Sequence, residues 1–340
     1  MSIRKLSPML VMATALVAGP IASPLFAASL PPPVRGVVRF EPDVGPPIAA
    51  PPFQLAAHEF AFRQTFRPSD APNLELSDIE FPSPVRTDFE CNNTVHCEYF
   101  RPHEAGRRPA VVVLHILGGD FPLARLFCRS LAARGRAALF VKMPYYGPRR
   151  PVGVRKRMIS EDPRETVAGM TQAVLDVRRA TAWLAARDEI DPQRLGLFGL
   201  SLGGITAALA ASQEPRLTNV CLMPAGGELS RALSQTGEGS AARRKWIAAG
   251  RTGEQFDDLL RSVDPAAYAA PVAGRRVLLI NAAHDEVIPP ACTESLREKL
   301  GRPPIVWYDA GHYSAVRFLF DGLYEATRFF RGVDRPHMPE

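Results

Sequence analysis

Residues 195–206 read LGLFGLSLGGIT, and they place Ser201 with Gly199 two positions before it and Gly203 two positions after. Glycine weakens strand and helix interiors alike, so a pair of glycines flanking one serine calls for a physical reason. Residues 195–198 have the apolar character of a short buried strand, and residues 202–211 that of a helix built from small side chains. Where such a strand runs into such a helix the two cross closely, and Cβ atoms at 199 and 203 would collide. Gly204, Thr206 and Ala207 continue the small surface. The turn forces Ser201 into a strained conformation with its hydroxyl exposed, as a nucleophile requires. Leu202, the first helical residue, would aim its N–H at the space beside that hydroxyl and can bind an oxyanion. The five-residue pattern alone also fits a glycine-rich tight turn with an incidental serine, so its surroundings decide.

Those surroundings alternate strand with helix. Strands are expected at 74–81, 94–100, 110–115, 137–143, 195–198, 220–223, 276–280 and 305–308. Helices are expected at 122–134, 161–187, 202–211, 290–300 and 316–330. Strands apolar on both faces and separated by helices argue for a mostly parallel sheet covered on both sides. Right-handed crossovers then bring the strand C-termini to one edge, where open sheets of this kind bind ligands. Between Pro224 and Val272 there is no strand signal, only polar helical stretches, which reads as a small helical cap at about 225–272.

A serine nucleophile needs a base, and the base an orienting acid. Asp285 follows the strand at 276–280 in AAHDEVIPP, and His312 follows the strand at 305–308 in DAGHYSA. The order Ser, Asp, His and the strand-end positions let Asp285 accept from His312 Nδ1 and turn Nε2 toward Ser201. Each assignment has a rival. Asp285 also suits a helix cap, with Glu286 as the working acid; His284 precedes the acid and breaks the order; Asp309 suits a cap on the last helix. Three adjacent residues, His284, Asp285 and Glu286, cannot all point inward, and no second ligand cluster exists, so no metal is expected. His58, His96, His103 and His337 fall outside the strand ends and read as surface residues. The loop after the strand AVVVLH, residues 115–120 (HILGGD), is the place for a second oxyanion donor. MPYYGPRRP lies at the same sheet edge, so Tyr145, Tyr146 and Arg149 are candidates for lining the substrate pocket; a proline-braced loop with solvated arginines is the equal alternative. Arg149, Arg150, Arg155, Lys156 and Arg157 form a basic cluster suited to an anionic substrate or membrane surface, though more simply a solvated face.

In combination, the Gly-Leu-Ser-Leu-Gly elbow, the Asp285-Glu-Val-Ile-Pro stretch and the Gly311-His312 pair resemble the α/β-hydrolase superfamily, and more loosely its dienelactone-hydrolase-like and esterase branches. The resemblance covers roughly residues 74–331. It implies an α/β-hydrolase fold with about eight strands, Ser201, Asp285 and His312 as the catalytic triad, and the backbone N–H groups of Leu202 and Leu117 as the oxyanion hole. Relatives usually carry His-Gly after the strand that here ends in His115-Ile116. The expectation is a serine hydrolase acting on a small-molecule carboxylic ester without a cofactor. A peptidase or acyltransferase on the same triad, or a binding protein that keeps the fold, are the other readings.

The rest of the chain frames that domain. Its 340 residues are 46% hydrophobic and 22% charged, an ordinary globular composition, and the formal charge of +6 says little about partners. Nothing in it suggests nucleic acid. Arg4 and Lys5 precede an uncharged run at 9–18, Gly19-Pro20 breaks it, and Leu25-Phe26-Ala27 offers a cleavage site, so residues 1–27 read as a signal peptide. The apolar run is about half the ~20 residues of a membrane span. Export to the periplasm or beyond, with no stable membrane anchor, is the expectation. Residues 28–73, rich in proline from Ser29 to Phe53, read as an extended arm, and 74–335 as the hydrolase domain. In an oxidising compartment Cys91 and Cys97, flanking Asn-Asn, would pair across a hairpin. Cys128 and Cys221 read as small core residues; Cys292 is open.

Overall fold

The alternating strands assemble into a ten-stranded sheet in a computed structural model that describes residues 30–42, 49–119, 121–272 and 274–332. The strands are β1 (Val34–Phe40), β2 (His58–Arg67), β3 (Leu74–Pro82), β4 (Thr94–Pro102), β5 (Arg108–Leu114), β6 (Ala137–Val141), β7 (Ile190–Leu200), β8 (Leu217–Met223), β9 (Arg276–Ala282) and β10 (Ile305–Tyr308). Their order is β1-β2-β3-β4-β6-β5-β7-β8-β9-β10. The pairings from β1 through β4 to β6 are antiparallel, and those from β6 through β5 to β10 are parallel.

Successive side chains of a strand point to opposite faces, and here both faces are apolar. One face takes Val112, Leu114, Leu139, Val141, Leu197 and Leu222, and is covered by α2 (Pro163–Ala185) and α3 (Leu202–Gln213). The other takes Val111, Val113, Phe140, Phe198, Cys221 and Ile280, under α1 (Phe121–Ala132) and α9 (Leu319–Phe330). Each fully buried aliphatic or aromatic side chain contributes about 1.5–3 kcal/mol.

The sheet has ten strands rather than eight because β1 and β2 lie in the stretch expected as an arm. Their own alternation explains it: Val38 and Phe40 on β1, and Phe60 and Phe62 on β2, turn inward while the residues between them face out or lie at the edge. The expected signal peptide (1–27), residues 43–48 of the arm and His337 lie outside the described residues.

The expected Cys91–Cys97 disulfide does not form. Cys91 is exposed in a single 3₁₀ turn, Glu90–Asn93, with Sγ 3.6 Å from the Arg149 carbonyl, whereas Cys97 points into the core from β4. Asn92 and Asn93 make no hairpin turn; they are buried, with Asn92 Nδ2 donating to Gln172 Oε1 (2.9 Å) and Asn93 Oδ1 accepting from Thr87 N (2.7 Å). Cys128, Cys221 and Cys292 are buried free thiols.

After β8 the chain forms four helices, α4 (Leu229–Gln235), α5 (Gly237–Ala248), α6 (Gly253–Arg261) and α7 (Pro265–Tyr268). α5 and α6 share a small core of Ala242, Trp246, Phe256 and Leu260, against which Leu233 of α4 packs, with α6 against α2 and α7 against α3. Before β10 comes α8 (Pro290–Lys299). Among the described residues no helix is long and apolar enough to cross a membrane.

Candidate active site

Between β7 and α3 the chain turns at Ser201, whose φ of 53° and ψ of −115° lie outside the regions L-residues favour. A Cβ on Gly199 would stand 2.0 Å from the Gly203 carbonyl oxygen, and one on Gly203 2.6 Å from that of His115. These neighbours are backbone and cannot yield, which is why two glycines bracket the serine. Ser201 N–H donates to Met223 O (2.8 Å), tying the elbow to the end of β8. A serine before a helix ordinarily caps it. Ser201 makes no such bond; its Oγ lies 3.1 Å from His312 Nε2.

Asp285 and Glu286 meet the ring and the main chain of His312, and His284 meets Asp309, all in the segment that follows β10. Asp285 Oδ2 lies 2.8 Å from His312 Nδ1, and Oδ1 accepts the N–H groups of Val287 (2.9 Å) and Ile288 (2.6 Å). Only 3% of Asp285 is exposed, so those two amides hold and partly neutralise a carboxylate removed from water. His284 Nε2 pairs with Asp309 Oδ1 (2.9 Å) at the surface, and Glu286 Oε2 accepts the main-chain N–H of His312 (2.9 Å). Ser201, His312 and Asp285 are therefore brought into one hydrogen-bonded line, which Glu286, His284 and Asp309 flank.

The first amides of a helix have no intrahelical acceptor, and Leu202 N–H is the first of α3. The loop with the second expected donor leaves β5 beside the elbow, because Leu114 pairs with Gly199 in the sheet. It closes a type II turn in which Gly119 N–H donates to Ile116 O (3.2 Å), with Gly118 at φ 88° in the position that demands glycine. Since the left-handed residue is Gly118, Ile116 is tolerated where relatives carry glycine.

His115 orients this turn. Its Nε2 accepts from Met143 N–H (3.1 Å), so Nδ1 carries the proton and donates to Ile116 O (2.8 Å). Burial lowers its pKa to about 4, keeping the ring neutral. In a trans peptide the N–H points opposite to the C=O, so holding Ile116 O sets the direction of the Leu117 N–H. In the sequence His115 is marked only by its place in the loop and by being a polar residue that ends an otherwise apolar strand.

The three residues expected at the pocket are differently placed. Tyr146 is buried beneath the 115–119 loop, its ring 4.7 Å from that of His115, and burial pushes its phenol up to about 12. Tyr145 is also buried, edge-on to Phe89, with φ 66°. Arg149 does not face a substrate: it is fully buried, donating to Lys142 O (3.0 Å) and Asn92 O (2.8 Å) and pairing with Asp176 (2.8 Å). The rest of the basic cluster is at or near the surface, with Lys156 paired to Glu165 (2.6 Å).

Two family models match the chain. The prolyl oligopeptidase family matches residues 170–312, and the family described as alpha/beta hydrolase domain containing 18 matches residues 69–230. An uncharacterized protein of Mycobacterium tuberculosis is 30% identical over 232 residues, 66% of this chain and 54% of that protein, so the chain spans about half that relative's length. Among solved structures, acetyl xylan esterase 1 from a Thermoanaerobacterium species superposes with a TM-score of 0.61 at 19% identity, covering 77% of this chain and 88% of the other. A putative dienelactone hydrolase from Klebsiella pneumoniae gives 0.52 at 21% identity, covering 75% and 98%. Both of these likenesses are of fold. The two family matches overlap over residues 170–230, the stretch that carries β7, Ser201 and α3, and the solved neighbours share the sheet this stretch organises: the chain belongs to the α/β-hydrolase superfamily.

Proposed function

We propose that the protein is an exported serine hydrolase that cleaves a carboxylic ester of a small molecule, with residues 1–27 removed as a signal peptide and residues 225–272 serving as a cap. One observation carries the reading: a serine in a strained turn leaves its helix uncapped and directs its hydroxyl to a histidine that an acid already holds. In the proposed reaction Ser201 Oγ attacks the ester carbonyl while His312 Nε2 takes its proton. Asp285 stabilises the imidazolium, and the N–H groups of Leu202 and Leu117 receive the charge on the carbonyl oxygen. His312 returns the proton to the departing alkoxide, leaving an acyl-Ser201 ester. Water, deprotonated by His312, then attacks that ester; the bond from the acyl carbon to Ser201 Oγ breaks, His312 returns the proton to Oγ, and the acid is released. No step requires a cofactor.

The ester assignment draws on fold neighbours that are an acetyl xylan esterase and a putative dienelactone hydrolase. A peptidase is the second reading, because the prolyl oligopeptidase match spans Ser201, Asp285 and His312. The experiment is intact-mass detection of a fluorophosphonate adduct, followed by turnover of matched ester, amide and peptide substrates. A single adduct lost in Ser201→Ala supports the nucleophile, and absence of any adduct favours a binding protein that retains the fold. Faster turnover of the peptide than of the ester would replace esterase by peptidase.

A further inference from the structure

We propose that Glu286 is a positioning residue for His312, acting on its main chain while Asp285 acts on its ring; the inference rests on the serine-hydrolase reading above. The imidazole must meet Ser201 Oγ at 3.1 Å and Asp285 Oδ2 at 2.8 Å together, and a ring rotates about Cα and Cβ atoms that sit in a loop. Its direction is set only if the backbone is held as well. Glu286 Oε2 supplies that hold, accepting the His312 N–H at 2.9 Å.

The loop is shaped around this carboxylate. A Cβ on Gly311 would stand 2.5 Å from Glu286 Oε2, so the oxygen occupies the space that any larger residue at 311 would claim. Gly311 is not in the left-handed region, and what a methyl group there would meet closest is the movable end of the Glu286 side chain. Other bonds fix the flanks: His284 N–H to Ala310 O (2.9 Å), Gly311 N–H to Ser314 Oγ (2.9 Å) and Ala315 N–H to Gly311 O (2.9 Å). The Glu286 bond fixes the residue between them. Glu286 is exposed and forms no salt bridge among the described residues, so the core has no need of its charge.

Two perturbations reach the same contact from opposite sides. Glu286→Ala removes the acceptor, whereas Gly311→Ala keeps the carboxylate and pushes it away with a methyl group. Turnover of p-nitrophenyl acetate is measured for both, for Glu286→Gln, for the Glu286→Ala/Gly311→Ala double variant and for Ser201→Ala, with a thermal melt of each. Misplacing a catalytic group by about 1 Å costs up to about a hundredfold, so kcat should fall about ten- to a hundredfold in Glu286→Ala and in Gly311→Ala, with KM within about twofold. Glu286→Gln, which keeps an oxygen acceptor, should restore most of kcat. The double variant should be no slower than Glu286→Ala, because the two changes break one contact. Wild-type kcat in a folded Glu286→Ala, or multiplicative losses in the double variant, would overturn the proposal while leaving the nucleophile intact. If Glu286→Ala fails to fold, Glu286→Gln and Gly311→Ala decide: Gly311→Ala at the wild-type rate, or Glu286→Gln as slow as it, overturns the proposal. Full activity in Ser201→Ala would overturn the serine-hydrolase reading and this inference with it.

Discussion

Arg149 Nη1 lies 2.8 Å from Asp176 Oδ2 where neither side chain has more than 1% of its surface exposed. Burial holds the Asp176 carboxyl above the usual carboxylate range against the pull of Arg149 and of Ser83 Oγ, which donates at 2.6 Å. Removing one member of a buried pair strands the other, at a cost of about 3–5 kcal/mol. Arg149→Met should lower the urea midpoint accordingly, and Asp176→Leu added to it should recover part of the loss. The KM for an ester should stay at the wild-type value in both, since the arginine faces the interior.

His115 gives a pH dependence with a definite sign. Its folded pKa is lowered to about 4 from an ordinary 6.5, because burial disfavours the imidazolium. Between those values the unfolded chain binds the proton that the folded protein refuses, so unfolding becomes easier as pH falls from about 6.5, and the effect levels off below about 4. At pH 5 this amounts to about 2 kcal/mol of lost stability. Urea unfolding at pH 7 and pH 5 should show that loss in the wild type and a correspondingly smaller one in His115→Gln. Equal losses in both would place the acid sensitivity elsewhere.

Cys91 should react with a thiol reagent in the native state, while Cys97, Cys128, Cys221 and Cys292 should titrate only after denaturation, because Cys91 alone among the five is exposed. Adding reductant should leave the melting temperature unchanged. A melting temperature that falls on reduction would show that a cross-link forms after all.

Much of this architecture is readable before any coordinate, for reasons that differ between residues. Val111 to Leu114 or Leu139 to Val141 announce themselves because a strand buried on both faces is apolar at every position. Gly199 and Gly203 are legible because the collision they avoid is local, within one strand-to-helix turn. β1 and β2 hide among proline pairs, although the Phe60 and Phe62 alternation is present. Arg149 sits in a run of surface cations with nothing local to mark it as buried; the nearest signal is Asp176, a carboxylate among Ala173, Val177 and Ala180 on the inner face of α2. The Glu286 contact with His312 N–H joins residues 26 apart across two loops, and neither periodicity nor spacing encodes it.

The most direct measurement is hydrolysis of p-nitrophenyl acetate, butyrate and octanoate by the purified protein beside Ser201→Ala. Loss of a triad nucleophile removes on the order of a million-fold in kcat. The account predicts turnover by the wild type, with a chain-length profile that reports the pocket, and background rates in Ser201→Ala. Equal rates in the two proteins would contradict it.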